Sequence, residues 1–459
     1  MLMRFNVKNF LSFGERENAQ SEEFSLFAGK VRNKYDHVYN DGKVKLLKFS
    51  AIYGANASGK SNFVKSLDFM RKFVLNQSIT GYMNSYCKVN EENKNKNSYF
   101  EVEIMINNKY YSYGFEILLN QGKVVSEWLI ELIGDGRERN IFTRDVENGN
   151  YEFGDILNNK TLMQKLVLYA SDVQDDGSIL YLSLMNKNKK TLYEEYEEAR
   201  VLKYVYQWFE DELAVHYPNR PISDYSYMLN SEAVDDVCKI ISAFNTGIKQ
   251  FKMVEVPIEK IMSNIPRGVA NQLFNDIEEK IKQKKINNDK STIDIIMRSQ
   301  KDFFIIEVNK KFEIKCKTIQ FSHGNENILF DIYEESDGTV RLLDLLEVLL
   351  TKKDKVFVID ELDRCLHPIL TYKYIELFLQ VAKKRNIQLI VTTHESRLLD
   401  FGLLRRDEIW FVNRRESGES DIYSLEEYNT RFDQKIDKAY LDGRYGGIPI
   451  FTTLFPINE

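Results

Sequence analysis

Hydrophobic and polar residues alternate from the start of the chain. Met3, Phe5 and Val7 interleave with Arg4, Asn6 and Lys8, the period-two pattern of a half-buried strand. Residues 46–53, LLKFSAIY, form a nearly unbroken apolar run of the kind a central strand carries. The run stops at Gly54, and from about 59 to 75 the period changes. Phe63, Leu67, Met70 and Val74 recur at intervals that build one apolar helix face. Residues 99–133 return to alternation: YFEVEIMI, YYSYGFEI and VVSEWLIELI, separated by the turn sequences NNK and NQGK, predict a β-meander. From about 155 to 300 the chain reads as helical and more polar, with TLYEEYEEARVLKYVYQWFEDEL and VANQLFNDIEEKIKQKK the clearest helices. Strand patterns resume with FFIIEV and KFEIKCKTIQF. A helix is expected over 338–351, a strand at 356–360, a helix at 368–384 and a strand at 387–393, before EIWFVNR and DIYSL. The middle therefore reads as an insertion: 1–134 and 321–459 form one α/β domain, and 135–320 a mainly helical subdomain within it.

Composition narrows the class. The 459 residues are 43% hydrophobic and 29% charged, enough for a core and unlike a disordered chain. A net charge of −6 argues against a wholly basic nucleic-acid coat protein, although a local basic patch is compatible with it. Cys87, Cys238, Cys316 and Cys365 stand far apart with no CxxC pair, which fits a reducing compartment. The N-terminus has no apolar signal core, and no stretch is long and apolar enough for a membrane span. A cytoplasmic protein is expected.

The chemistry begins where the first apolar run ends. Gly54, Ala55, Asn56, Ala57, Ser58, Gly59, Lys60 and Ser61 fit GxxxxGK[ST] between a strand and a helix. Glycines let the backbone wrap phosphates, and consecutive amides with the helix N-terminus point at the anion. Lys60 supplies charge to the β- and γ-phosphates, and Ser61 a hydroxyl to Mg²⁺. Three hundred residues later, the apolar strand VFVI ends in Asp360 and Glu361. Asp360 can hold Mg²⁺, and Glu361 can polarise an attacking water. Ser336 and Gly338 open an apolar helix, a second anion-binding geometry. His394 follows the strand IQLIVTT, at the strand end where ligands sit in α/β sheets.

Together these residues resemble the ABC-ATPase heads of the SMC/RecF/OLD-like branch. GANASGKS is similar to Walker A, ESDGT to a degenerate signature, and VFVIDE to Walker B; Leu362-Asp363 resembles the D-loop and His394 the switch histidine. NFLSFGE, YFEVEI, VSEWL, DELDRCLHP, TTHES, LRRDEIWFV and GRYGGIP narrow the resemblance to AAA-type ATP-binding proteins of bacterial abortive-infection and anti-phage systems. The signature departs from the family by lacking its leading LSGG, and the Q-loop glutamine stays open among Gln77, Gln121 and Gln174.

The resemblance implies an ABC-type α/β head, with a mixed sheet flanked by helices and an antiparallel β subdomain. It implies ATP and Mg²⁺ as ligands, held by Gly54, Asn56, Ser58, Gly59, Lys60 and Ser61 with Asp360. Ser336, Gly338 and Asp363 would act across a head-to-tail dimer, while Glu361 and His394 carry hydrolysis. The residues after His394 are too few for the nuclease domain of OLD-type relatives. The expected partners are a second copy of the chain, or a higher oligomer, and a separately encoded effector such as a nuclease or toxin. A second reading is a RecF-type DNA-repair ATPase, with Lys280, Lys282, Lys284, Lys285, Arg405 and Arg406 as basic candidates. A third, the nucleotide-binding subunit of a transporter, is disfavoured by the meander. The five histidines, His37, His216, His323, His367 and His394, show no metal-ligand spacing.

Overall fold

The computed structural model describes residues 1–15, 20–134, 136–154, 159–223, 231–264, 293–299, 302–309, 313–325, 327–428 and 436–448, with isolated positions at 225, 227, 268 and between 271 and 282. Its contacts divide into two units. The first comprises Met1–Val215, Lys352–Leu362 and Ile375–Glu459; the second comprises His216–Thr351 and Asp363–Tyr374.

The first unit is organised by the apolar run that precedes Gly54. It forms two short strands, Lys45–Leu47 and Phe49–Tyr53. Lys48 between them is buried, and its Nζ donates to the carbonyl of Ala382 at 2.5 Å. Every residue of Phe49–Tyr53 is buried. The strand runs parallel to Gln388–Thr392 on one side and Ile409–Arg414 on the other. Val356–Ile359 continues the sheet in parallel beyond Gln388–Thr392. Ser420–Ser424 pairs antiparallel at one edge, and Leu213–His216 lies at the other. Strands covered on both faces must be apolar throughout, which is why the alternation disappears here. Phe63 of the helix Lys60–Asn76 packs 5.7 Å from Phe5 and 5.0 Å from Phe24, and Phe378 lies 6.2 Å from Phe49.

The meander opens into a second, antiparallel sheet. Among the described residues its order is Asn150–Phe153, Arg137–Asp145, Lys123–Gly134, Lys109–Leu118, Ser98–Ile106, Leu2–Lys8, Glu22–Ser25. Gly114 is required at its position, because a Cβ there would lie 2.4 Å from the Trp128 ring. The architecture of this unit is α/β as the sequence implied: a mixed sheet flanked by helices, with an antiparallel β sheet beside it. Among the described residues no helix is long and apolar enough to cross a membrane.

Two segments differ from the sequence reading. Residues 137–153 form strands that extend the meander, within a stretch assigned to a mainly helical insertion, and they belong to the first unit. The long charged helix expected from 191 is broken into Lys190–Glu195 and Arg200–Gln207, followed by a π-turn and a strand at Leu213. Glu194, Glu195, Glu197 and Glu198 crowd like charges at helical spacing, which disfavours a continuous helix through them. Arg200 Nε instead reaches back to the carbonyl of Tyr193 at 2.9 Å.

In the second unit, Gln250–Val256, Ile314–Ser322, Phe303–Val308 and Ile293–Arg298 follow one another as antiparallel neighbours. Ile261, Phe304 and Ile306 centre an apolar cluster. The helix Asp337–Leu350 carries Asp344, 3.4 Å from the Arg298 guanidinium, which also lies 4.3 Å over the Tyr225 ring. The helix expected over 269–285 falls largely outside the described residues.

Candidate functional site

Three loops leave the carboxyl ends of neighbouring parallel strands: 54–59 after Phe49–Tyr53, 360–361 after Val356–Ile359, and 393–395 after Gln388–Thr392. The parallel registers place all three along one edge of the sheet. Gly54, Asn56, Ser58, Gly59, Lys60, Ser61, Asp360, Glu361 and His394 therefore share one unit and one sheet edge. Ser336, Gly338 and Asp363 belong to the second unit.

The 54–61 loop has the backbone its sequence demands. Gly59 takes φ +117°, and a Cβ there would meet Ser420 Oγ at 2.4 Å and Ser12 Oγ at 2.8 Å. A Cβ on Gly54 would meet the carbonyl of Val412 at 2.4 Å. Ala57 is also left-handed, at φ 62°, a conformation costing a non-glycine residue about 1 kcal/mol. Lys60 is buried, and its Nζ donates to the carbonyls of Gly54 at 2.7 Å and Ala55 at 3.0 Å. Its charge is thereby held inside the curl of the loop. Ser420 Oγ donates to the carbonyl of Ser58 at 2.6 Å, clamping the loop from the edge strand. Ser58 Oγ is buried with no hydrogen-bond partner among the described residues. Ser61 is half-buried in the first turn of the helix, and Asn56 is exposed.

The acidic turn is fixed by one hydroxyl. Thr392 Oγ1 donates to Asp360 Oδ1 at 2.6 Å and accepts the Glu361 amide at 2.8 Å. The carbonyl of Thr392 accepts the Leu362 amide at 3.0 Å. Asp360 is only 3% exposed, while Glu361 is half-buried with φ 50°. Left-handed backbone at a glutamate is a strained state of the sort that gathers at functional sites. It turns the chain sharply just after Asp360. His394 is exposed and follows Thr393, whose amide donates to the carbonyl of Ile52 at 3.1 Å. A buried carboxylate, a helix-borne serine hydroxyl and a curled lysine are a hard-oxygen and cationic set suited to Mg²⁺ and phosphate.

A cavity of about 540 Å³ opens beside the loop, lined among others by Ser12, Ala57, Asn62, Lys88 and Arg414. Asn62 Nδ2 donates to Ser12 Oγ at 2.8 Å. Ser12, Asn62, Thr392, Arg414 and Ser420 were not reached from the sequence. Their only local signals are that Ser12 lies in NFLSFGE and Thr392 in TTHES.

In the second unit, Ser336 is exposed and caps the helix Asp337–Leu350, its Oγ accepting the Thr339 amide at 3.1 Å. Gly338 allows close approach of the Cys365 carbonyl, 2.7 Å from where a Cβ would sit. Both residues thus have local structural roles. Asp363 is half-buried, and its carbonyl accepts the Leu366 amide at 3.0 Å.

Other candidates are relocated. Gln77 caps the far end of the 17-residue helix, about 25 Å from the loop at 1.5 Å per residue. Gln174 donates to the carbonyl of Gly149 at 2.8 Å, and Gln121 lies in a hairpin turn. Arg405 is no surface contact for DNA: it is 2% exposed, its guanidinium binds Asp407 at 2.6 and 2.9 Å, and it donates to the carbonyl of Asn33. Arg406 is half-buried and Lys282 exposed, while Lys280, Lys284 and Lys285 lie outside the described residues.

Residues 49–197 and 219–400 match the family model described as AAA domain, putative AbiEii toxin, Type IV TA system. No curated protein matches. Among solved structures, an SMC head bound to the C-winged helix domain of ScpA is similar at 14% identity and a TM-score of 0.42, over 92% of this chain and 97% of that one. The SMC head domain from Thermotoga maritima is similar at 13% identity and 0.36, over 92% and 98%. An SMC head with an extended coiled coil from Pyrococcus furiosus, bound to the C-terminal domain of ScpA, is similar at 14% and 0.40, over 96% and 99%.

Proposed function

Since the chain belongs to the AAA-domain family of putative AbiEii toxins, we propose that it is an ABC-type ATPase serving as sensor or scaffold of an abortive-infection-like anti-phage system. The observation that carries the ATPase reading is that the Lys60 loop and the Asp360–Glu361 turn both follow parallel strands at the same edge of one sheet. The loop amides and Lys60 bind the phosphates of ATP, and the cavity at Ser12, Asn62, Lys88 and Arg414 has the size of a nucleoside site. Ser61 and Asp360 are the residues that would hold Mg²⁺, which when bound neutralises phosphate charge. Glu361 orients and deprotonates water. His394 faces the γ-phosphate side.

Ser336, Gly338 and Asp363 act in trans in a head-to-tail dimer, a closed two-fold arrangement. ATP then controls a separately encoded effector, such as a nuclease or toxin, through its different affinities for the open and closed states. Support for the defence role is the family description alone.

The test is nucleotide titration, turnover and sedimentation with the full chain. Wild-type protein binds and hydrolyses ATP, and Lys60→Ala loses tight binding. Glu361→Gln turns over about 10²–10⁴ times more slowly, the range for loss of a general base, and accumulates as an ATP-bound dimer. Undiminished turnover in Glu361→Gln would sink the assignment. ATP-stimulated, salt-sensitive DNA affinity would instead favour the repair reading.

A further inference from the structure

The segment Ile436–Leu441 and the turn after it reach the exit of the P-loop strand. The Tyr440 ring lies 5.7 Å from Tyr53, the residue before Gly54, and stacks on Phe411 at 5.6 Å. Its hydroxyl donates to the carbonyl of Gly447 at 3.1 Å. Burial pushes that hydroxyl up to about 12, an effect opposed by the backbone amide of Gly54 beside it. Gly446 and Gly447 both take φ +68°, and a Cβ on Gly447 would lie 3.3 Å from the Cα of Gly54. The turn is pinned from its other sides as well. The Gly447 amide donates to Asn413 Oδ1 at 3.4 Å, Tyr423 Oη donates to the carbonyl of Tyr445 at 2.6 Å, and Tyr445 stacks on Phe411 at 5.7 Å.

Gly54 is therefore crowded by two neighbours. The carbonyl of Val412 lies 2.4 Å from where a Cβ on Gly54 would sit, and a Cβ on Gly447, whose carbonyl accepts the Tyr440 hydroxyl, would lie 3.3 Å from the Gly54 Cα. Residues 54 and 55 are also the carbonyl partners of Lys60. A displacement of Gly54 thus moves the lysine as well as the loop amides.

We propose that Tyr440, with the Gly446–Gly447 turn, is a positioning residue for the P-loop, so that nucleotide affinity depends on the seating of residues 436–448. This rests on the reading of the loop as an ATP site. By linkage the coupling is reciprocal: nucleotide tightens the seating of the segment by the factor that seating adds to affinity. A partner that lifts this segment weakens ATP binding without touching the phosphates.

The test compares Tyr440→Phe with Tyr181→Phe in the full chain. Each removes one buried phenolic hydroxyl that donates to a backbone carbonyl, but Tyr181 bonds Leu166 and packs on Phe142, outside the cluster that holds residues 436–448. The readouts are ATP and ADP affinity, KM against kcat, and melting temperature without nucleotide. Tyr440→Phe is expected to weaken ATP about five- to tenfold and raise KM at unchanged kcat, the scale of one lost hydrogen bond. Tyr181→Phe is expected to stay within about twofold, with a similar change in melting temperature. Wild-type affinity in Tyr440→Phe overturns the proposal, as does equal weakening in both variants. A wild-type chain that binds no ATP overturns the ATP reading together with it. Intact wild-type binding beside an unaffected Tyr440→Phe overturns the positioning role alone.

Discussion

Replacing Thr392 by valine removes one hydroxyl at nearly constant volume. That hydroxyl donates to Asp360 Oδ1 at 2.6 Å and accepts the Glu361 amide at 2.8 Å, in a buried setting. A hydrogen bond to a charged group contributes about 1.5–3 kcal/mol, and an orphaned buried amide costs about 1–3 kcal/mol. The two losses overlap, because both follow from one atom, so the site loses about 3 kcal/mol. Part of that appears as lower stability and part as misplacement of Asp360 and Glu361. A displacement near 1 Å costs on the order of 10² in rate. Steady-state Mg²⁺-ATP hydrolysis should therefore show kcat lower by about 30–100-fold, with KM changed less than about threefold because the P-loop is untouched. Thr392→Ser keeps the hydroxyl and should recover most of the rate. Turnover within twofold of wild type in Thr392→Val, beside a measurable stability loss, would reduce Thr392 to a structural pin. Equal losses in the serine and valine variants would place the effect in methyl packing instead.

Gly59→Ala puts a Cβ 2.4 Å from Ser420 Oγ at φ +117°; equilibrium titration should show ATP affinity down at least about tenfold at a stability cost of about 1–3 kcal/mol, and intact affinity would count against the loop geometry. Burial holds the Glu408 carboxyl above its ordinary 4.5 despite hydrogen bonds from His37. Folded protein then keeps that proton more tightly than the unfolded chain, so its stabilising contribution is full below about pH 4.5 and is lost as pH rises through the folded value. Glu408→Gln should flatten that decline in denaturation curves taken from about pH 4 to 8, and a curve parallel to wild type would refute the linkage.

What the sequence disclosed was local. The P-loop is legible because strand, glycine, lysine and helix follow one another within one stretch, and the carboxylates because an apolar strand ends in them. Thr392 was invisible as a ligand holder, since its bond to Asp360 spans 32 residues and depends on the strand order. Ser420 and Ser12 escaped for the same reason: they reach Gly59 from distant parts of the chain. Arg405 shows the converse error. A sequence displays a charge but not its partner, and Asp407 two residues on absorbs it. The glutamate run at 194–198 misled differently, because apolar spacing on either side matched a helix while like charges between opposed it. Strands 137–153 carry weaker alternation than the meander they extend, with three exposed residues opening Arg137–Asp145.

The sheet edge that carries the site is assembled from the two extremes of the chain. Phe49–Tyr53 finds both neighbours only in Gln388–Thr392 and Ile409–Arg414. The Gln388 side chain ties the joint, exchanging two hydrogen bonds with Leu2 and giving one to the carbonyl of Leu47. During synthesis the five buried residues of Phe49–Tyr53 must therefore wait for more than three hundred others before their edges are covered. Parallel pairing at such separation is slow, because loop closure precedes any reward. Until then the nascent chain carries an apolar strand with two open edges, the kind of surface that aggregates or recruits chaperones. A ribosome-bound fragment lacking residues beyond 387 would hold the phosphate loop's sequence without its flanking strands. Nucleotide binding thus becomes a late event in the birth of the protein, and a chain cut short in translation is silent at this site.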